Sequence, residues 1–154
     1  MTYFVKLLGS TDMPMSNSPW GEREINEEIR FPASPPPKEV TPGDELIYYA
    51  VGGYKRVFAA ARVEGEPVLS DKHENPVVAK RWPYAAPVKI RPDTKLEYVS
   101  SGPGLNEITP GLQSKIGHGV SHFEIGKPEF DRAVALLRRA KTDEDRKIRT
   151  GWRP

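Results

Sequence analysis

The amino-acid sequence predicts an α+β fold: a small, strongly curved, mainly antiparallel sheet or pseudo-barrel flanked by a few helices. Three observations predict it. Short β-rich runs recur along the chain and are joined by glycine and proline turns, which favours hairpin links over βαβ units. The one long amphipathic pattern lies near the far end, over residues 128–141. Sixteen prolines and 13 glycines among 154 residues call for many turns and irregular connections. A chain of this length is one ordinary domain, able to bury roughly two-thirds of its unfolded surface. Residues 1–141 are assigned to that domain and 142–154 to a charged, partly disordered tail.

Thr2–Leu8 is apolar and β-rich and is read as the first strand, and Gly9–Asn17 as a polar loop. Ile25 and Ile29 are four apart, which predicts a short helix over Glu22–Arg30. Phe31–Pro42 holds five prolines and is read as extended or polyproline-like. Thr41-Pro-Gly-Asp44 has the signature of a type II turn. It launches a strand over Glu45–Val51, which Gly52-Gly53 joins as a hairpin to Lys55–Val63. There Val57, Ala59, Ala61 and Val63 share a face whose small alanines leave room for something bulky, such as a helix. Glu64–Asn75 is polar and turn-rich, and Val77–Lys80 is read as a short strand. Tyr84–Arg91 is another strand, placed at an edge or bulge because Pro87 interrupts it. Leu96–Val99 is a further strand candidate. Val120–Ile125 puts Phe123 and Ile125 on one face and His122 and Glu124 on the other. The clearest helix is Pro128–Lys141, with Pro128 and acids in its first turn, the stripe Phe130, Ala133, Val134 and Leu137, and cations at its end.

Composition excludes several classes of function. With no cysteine there is no disulfide and no thiolate zinc site. No stretch approaches the roughly 18 apolar residues of a membrane span. The first ten residues lack a basic signal region, so a cytoplasmic protein is expected. Net charge is +2, but residues 1–50 hold four Lys/Arg against eight Asp/Glu and residues 51–154 hold nineteen against thirteen. The second part therefore has charge to spare for a polyanion. No phosphate-binding loop, dinucleotide fingerprint or nucleophile elbow is present. His118 and His122 are four apart, yet glycines flank His118; in a strand such residues lie about 13 Å apart, too far for one ion. The acids at Glu24, Glu27 and Glu28 and at Asp143–Asp145 read as solvated faces. No cofactor and no metal are expected.

Aromatic residues lie beside loops and cations. Trp20 follows Asn-Ser-Pro, and Trp82 and Tyr84 sit in Lys80-Arg-Trp-Pro-Tyr84. Tyr48 and Tyr49 point to opposite faces of their strand, so at most one is expected in the core. Aromatic faces stack on bases while neighbouring cations hold phosphates.

The order of these motifs carries a resemblance. An apolar first strand is followed by a loop with a tryptophan, then by Gly43-Asp-Glu-Leu-Ile-Tyr-Tyr49 leading into Val57–Val63. Next come Arg81-Trp-Pro-Tyr84 with Val88-Lys-Ile90, Ser114-Lys-Ile-Gly117 and Val120–Ile125 before the terminal helix. This resembles the EVE domain and its relatives in the PUA-like superfamily, which include the YTH and ASCH domains. The likeness covers most of residues 1–140. It departs where EVE members carry Lys-Ser-Glu-Pro and this chain has Leu8-Gly-Ser-Thr-Asp12, and at the proline segment.

The resemblance implies a bent sheet that binds RNA or modified DNA and holds a modified or flipped base in an aromatic pocket. Carried over by position, Ser10 sits beside the pocket, Trp20 is a stacking wall, Tyr48 or Tyr49 a second wall, Trp82 a support or third wall, and Ser121 a hydrogen-bonding group. Lys55, Arg56, Lys80, Arg81, Lys89, Arg91 and Lys115 form the phosphate-contacting set. Two rival readings remain open. One is a nucleotide-processing enzyme on the same scaffold, using Glu107, Ser10, Lys6 and His122; the other is a protein-interaction module using Pro35-Pro-Pro37.

Overall fold

The structure, a computed structural model, describes residues 1–19, 23–117 and 119–154, with the side chains of residues 23 and 24 left aside. Its strands are β1 (Tyr3–Leu8), β2 (Glu28–Phe31), β3 (Glu45–Ala50), β4 (Val57–Val63), β5 (Val68–Leu69), β6 (Tyr84–Ile90) and β7 (His122–Ile125). The helices are α1 (Arg23–Glu27), α2 (Pro76–Arg81), α3 (Leu105–Ile108) and α4 (Lys127–Arg149). The sheet runs β2-β6-β4-β3-β1-β7, with β5 beside β6. The β1–β3 pair is parallel, and the other five pairings described are antiparallel. The predicted class holds: this is a small α+β domain on a strongly curled, half-barrel sheet.

The curl is visible in the edges. Six strands laid flat would separate β2 from β7 by about 24 Å, at 4.8 Å per step. Instead the ring of Phe31 in β2 lies 5.2 Å from that of His122 in β7. Side chains alternate accordingly. Phe4, Lys6 and Tyr48 point into the curl, where Phe4 meets His122, Lys6 lies over Phe31, and the Tyr48 hydroxyl donates to the Ile25 carbonyl at 3.1 Å. On the outer side Tyr3 packs on Phe130 of α4. The whole predicted stripe Phe130, Ala133, Val134 and Leu137 is buried.

Several elements differ from the sequence reading for local reasons. The predicted helix over Glu22–Arg30 is only α1 in its described part; from Glu28 the chain pairs with β6, and Ile29 and Phe31 are buried there. Val77–Lys80 is helical, because Asn75 caps the Val77 amide at 3.0 Å and Pro76 occupies the first turn. Pro87 is not on an edge. It sits where β6 changes partners, from β2 at residues 84–87 to β4 at 88–90.

Leu96–Val99 is no strand. Beyond the reach of β6, residues 91–96 cover β4 individually: Arg91 N donates to Ala60 O, Thr94 Oγ1 accepts from Ala60 N at 2.9 Å, and Leu96 N donates to Phe58 O. The loop that follows closes tightly on β4. A Cβ on Gly102 would stand 1.7 Å from the Val57 carbonyl oxygen, so only glycine fits. The predicted turn at Thr41–Asp44 is present, with Gly43 at φ 93° and Asp44 N donating to Thr41 O.

The terminal helix does not stop at Lys141 but runs two turns further into the segment read as a tail. Lys141–Asp145 and Asp143–Arg146 pair along it, and buried Glu144 accepts from the Glu97 and Tyr98 amides at 2.7 and 3.0 Å. After Gly151, at φ 92°, Trp152 folds back onto Tyr98. The proline segment is likewise no free arm, since Pro37 and Val40 are buried. Among the described residues no helix is long and apolar enough to cross a membrane.

Candidate functional site

A cavity of about 520 Å³ opens between the end of β1, the loop after it, β2 and α2. Its walls are largely apolar: Leu7, Leu8, Met13, Pro14, Met15, Ile25, Ile29 and Val78, with the half-buried indole of Trp82 beside them. Polar groups are fewer: Lys6, Glu28, Arg30, His73, Glu74 and Asn75. A second hollow of about 700 Å³ adjoins it and shares Glu28, His73 and Glu74.

Each wall is held by identifiable bonds. Arg30, buried in β2, donates to the carbonyls of Ser70 and Trp82 at 3.0 Å and of Lys72 at 2.9 Å, and to Glu28 at 3.0 Å. It thereby ties residues 70–82, the source of His73, Asn75, Val78 and Trp82, to the sheet. The opposite wall is shaped by Ser10, whose Oγ accepts from the Met13 amide at 3.1 Å and donates to Asp12 at 2.7 Å. Arg81 joins the two walls through a bidentate pair with Asp12, at 2.9 and 3.1 Å, while its guanidinium lies 4.9 Å from the Trp82 ring. Arg81, and after it Ser10, holds the Asp12 carboxyl well below the usual carboxylate range.

Lys6 is 2% exposed. Its Nζ donates to the Leu7 carbonyl at 2.8 Å and more weakly to that of Ser121 at 3.5 Å, and lies 4.9 Å from the Phe31 ring. Burial brings its pKa down to about 7. Near it His122 bonds Glu39 through Nε2 and the Ser121 hydroxyl through Nδ1 at 2.8 Å. Burial lowers the pKa of His122 more than Glu39 raises it.

The structure gathers some of the expected site residues and disperses others. Trp82 lines the cavity, and Arg81 stands beside it through its pair with Asp12. Ser10 is next to Gly9, which lines the cavity, whereas Lys80 is exposed and does not line it. Trp20 and His118 lie outside the described residues. Tyr48 and Tyr49 are not pocket walls, and both are in the core, at 0% and 2% exposure. They do point to opposite faces, but both faces are covered: Tyr48 bonds Ile25 inside the curl, and Tyr49 accepts from Gln113 Nε2 at 2.9 Å outside it. Burial raises the pKa of each phenol.

Ser121 faces His122 and does not line the cavity. The seven cations form no single rim. Lys55 and Arg56 lie at the β3–β4 turn, where Arg56 is 3.7 Å from Glu107, and Lys115 follows Gln113 nearby. Lys89 is opposite Arg62 on β4, and Arg91 pairs with Glu45 against Phe130. Arg30, Asp12 and the methionines were missed by the sequence reading. Met13-Pro-Met15, apolar in an otherwise polar loop, was the available signal for a lined cavity.

These features define a small curled-sheet α+β domain with a part-apolar cavity lined on one side by an indole and flanked by an ion pair. A crystal structure of protein Atu2648 from Agrobacterium tumefaciens has a similar fold over 89% of this chain and 93% of that one, with a TM-score of 0.53 and 11% identity. An NMR structure of Rpa0253 from Rhodopseudomonas palustris covers 88% and 92%, with a TM-score of 0.48 and 9% identity. No protein-family profile and no curated protein sequence matches the chain. At such identity the likeness to Atu2648 shows the fold alone.

Proposed function

We propose that this chain is a nucleic-acid-binding domain of the EVE/PUA-like kind that receives an extruded or modified base of RNA or DNA in the cavity beside Trp82. The observation that carries the reading is the placement of the indole: it lines a cavity of about 520 Å³, and the cations Lys80 and Arg81 directly precede it on α2. That volume falls in the roughly 300–1,000 Å³ range of small-ligand sites, so a single flat ring with part of its sugar fits. Apolar walls favour a base that has left its stack, and Asn75 and Lys6 offer donors to its edge.

Fluorescence anisotropy with short single-stranded oligonucleotides, carrying a plain or a methylated central base, tests this. Binding weakens linearly in log K with log salt. Trp82→Ala weakens it by about five- to 150-fold, the effect of losing a stacked base at ~1–3 kcal/mol, while Trp82→Phe keeps most of it. Unchanged affinity in Trp82→Ala, or no binding to any such strand, overturns the reading.

One observation favours a second reading, that of a nucleotide-processing enzyme. Lys6 is a buried amine on the cavity wall, and burial makes it half neutral near pH 7, the condition an amine needs to act as base or nucleophile. Turnover of a nucleoside or nucleotide that disappears in Lys6→Met supports this reading, and turnover that survives the change excludes Lys6 from it.

A further inference from the structure

The Asp12–Arg81 ion pair lies beside the cavity, each member next in sequence to a lining residue. Asp12 immediately precedes Met13, and Arg81 immediately precedes Trp82, so the pair spans from one lining wall to the other across a sequence separation of 69. Both side chains are largely exposed. Such exposed pairs contribute little to stability, so this one is weak as a structural strap. Its geometry is more specific than its strength. The guanidinium presents two parallel N–H donors to two carboxylate oxygens, and the same fork fits two oxygens of a phosphate. The guanidinium also lies over the indole, and the carboxylate is set in place by Ser10.

We propose that Arg81 is the contact for the phosphate next to the bound base, and that Asp12 is a built-in stand-in for that phosphate, displaced when nucleic acid arrives. This deepens, and rests on, the base-binding reading above. The exchange swaps one bidentate anion for another at Arg81, and Asp12 is released to solvent with its bond to Ser10 intact. Asp12 therefore competes with the ligand in every binding event, which gives its removal the opposite sign from the removal of Arg81.

The test is a double-mutant cycle of Asp12→Ala and Arg81→Gln, read by anisotropy with a fluorescein-labelled nine-nucleotide single-stranded RNA at two salt concentrations. Asp12→Ala tightens binding, by about fivefold at most, since an exposed pair offers little resistance to displacement. Arg81→Gln weakens it and lowers the salt slope by about one. In the Arg81→Gln background Asp12→Ala changes nothing, because no guanidinium remains to compete for.

If Asp12→Ala tightens binding equally in both backgrounds, Asp12 merely repels the strand and the proposal is overturned. If both single variants weaken binding alike, the pair is a strap and the proposal is overturned in the other direction. In either case binding persists and the base-binding reading stands. A wild-type protein that does not bind the RNA overturns both.

Discussion

Arg30→Ala is expected to cost about 3–5 kcal/mol of stability, the range for breaking a buried charged network by removing one partner. Four of the five guanidinium N–H groups have partners, and three of those partners are backbone carbonyls from a segment forty to fifty-two residues away. Truncation leaves the Ser70, Lys72 and Trp82 carbonyls and part of the Glu28 carboxylate without their donors at a part-buried site on the cavity wall. An acceptor so abandoned costs ~1–3 kcal/mol where no water replaces the donor. A lysine at position 30 restores the charge but not the span, because its three donors radiate from one atom, so Arg30→Lys is expected to recover less than half of the loss. Urea unfolding midpoints measure the stability. A loss under 1 kcal/mol in Arg30→Ala shows that residues 70–82 are held by something else.

How far these features could be read in the sequence depends on how local their causes are. The strands β1, β3, β4, β6 and β7 and the start of α4 follow from β-rich composition, alternation or a 3.6-residue stripe within one short window, and the structure places all of them. The helix–strand boundary at Glu28 does not. Ile25 and Ile29 satisfy a helical spacing, and only the pairing of residues 28–31 with β6 decides the matter. The Leu96 segment misleads in the same way, since an isolated bond to Phe58 replaces the ladder that its β-rich residues predict.

The tyrosines are a different case. Alternation at Tyr48 and Tyr49 is legible, but that the sheet curls far enough to bury one face while α4 and the turn at Gln113 cover the other is a property of the whole chain. At the cavity, Trp82 and its two preceding cations stand out in sequence. Arg30 falls there at the end of the helix predicted over Glu22–Arg30, and the partnership of Asp12 with Arg81 spans a separation of 69 that carries no local trace of it.

Lys6 leads to the second large effect, with a sign opposite to that of Arg30. An unfolded lysine keeps its proton to about pH 10.5, whereas the folded chain releases the Lys6 proton near pH 7. Below pH 7 both states are charged, and the folded one bears the whole cost of holding an ammonium ion among Phe31 and two carbonyls. Between pH 7 and 10.5 the unfolded chain binds a proton that the fold does not, so stability rises with pH across that window. At ~1.4 kcal/mol per unit the rise attributable to this amine is at most about 5 kcal/mol. Methionine has similar length and no charge to desolvate. Lys6→Met is therefore expected to be more stable than the wild type by several kcal/mol near pH 6, with the difference shrinking steadily toward pH 10. Urea midpoints of the two proteins at unit intervals of pH measure that difference, in which every other titrating group is common to both. Parallel curves would mean that Lys6 keeps an ordinary affinity for its proton inside the fold, and the case for a half-neutral amine on the cavity wall would go with it.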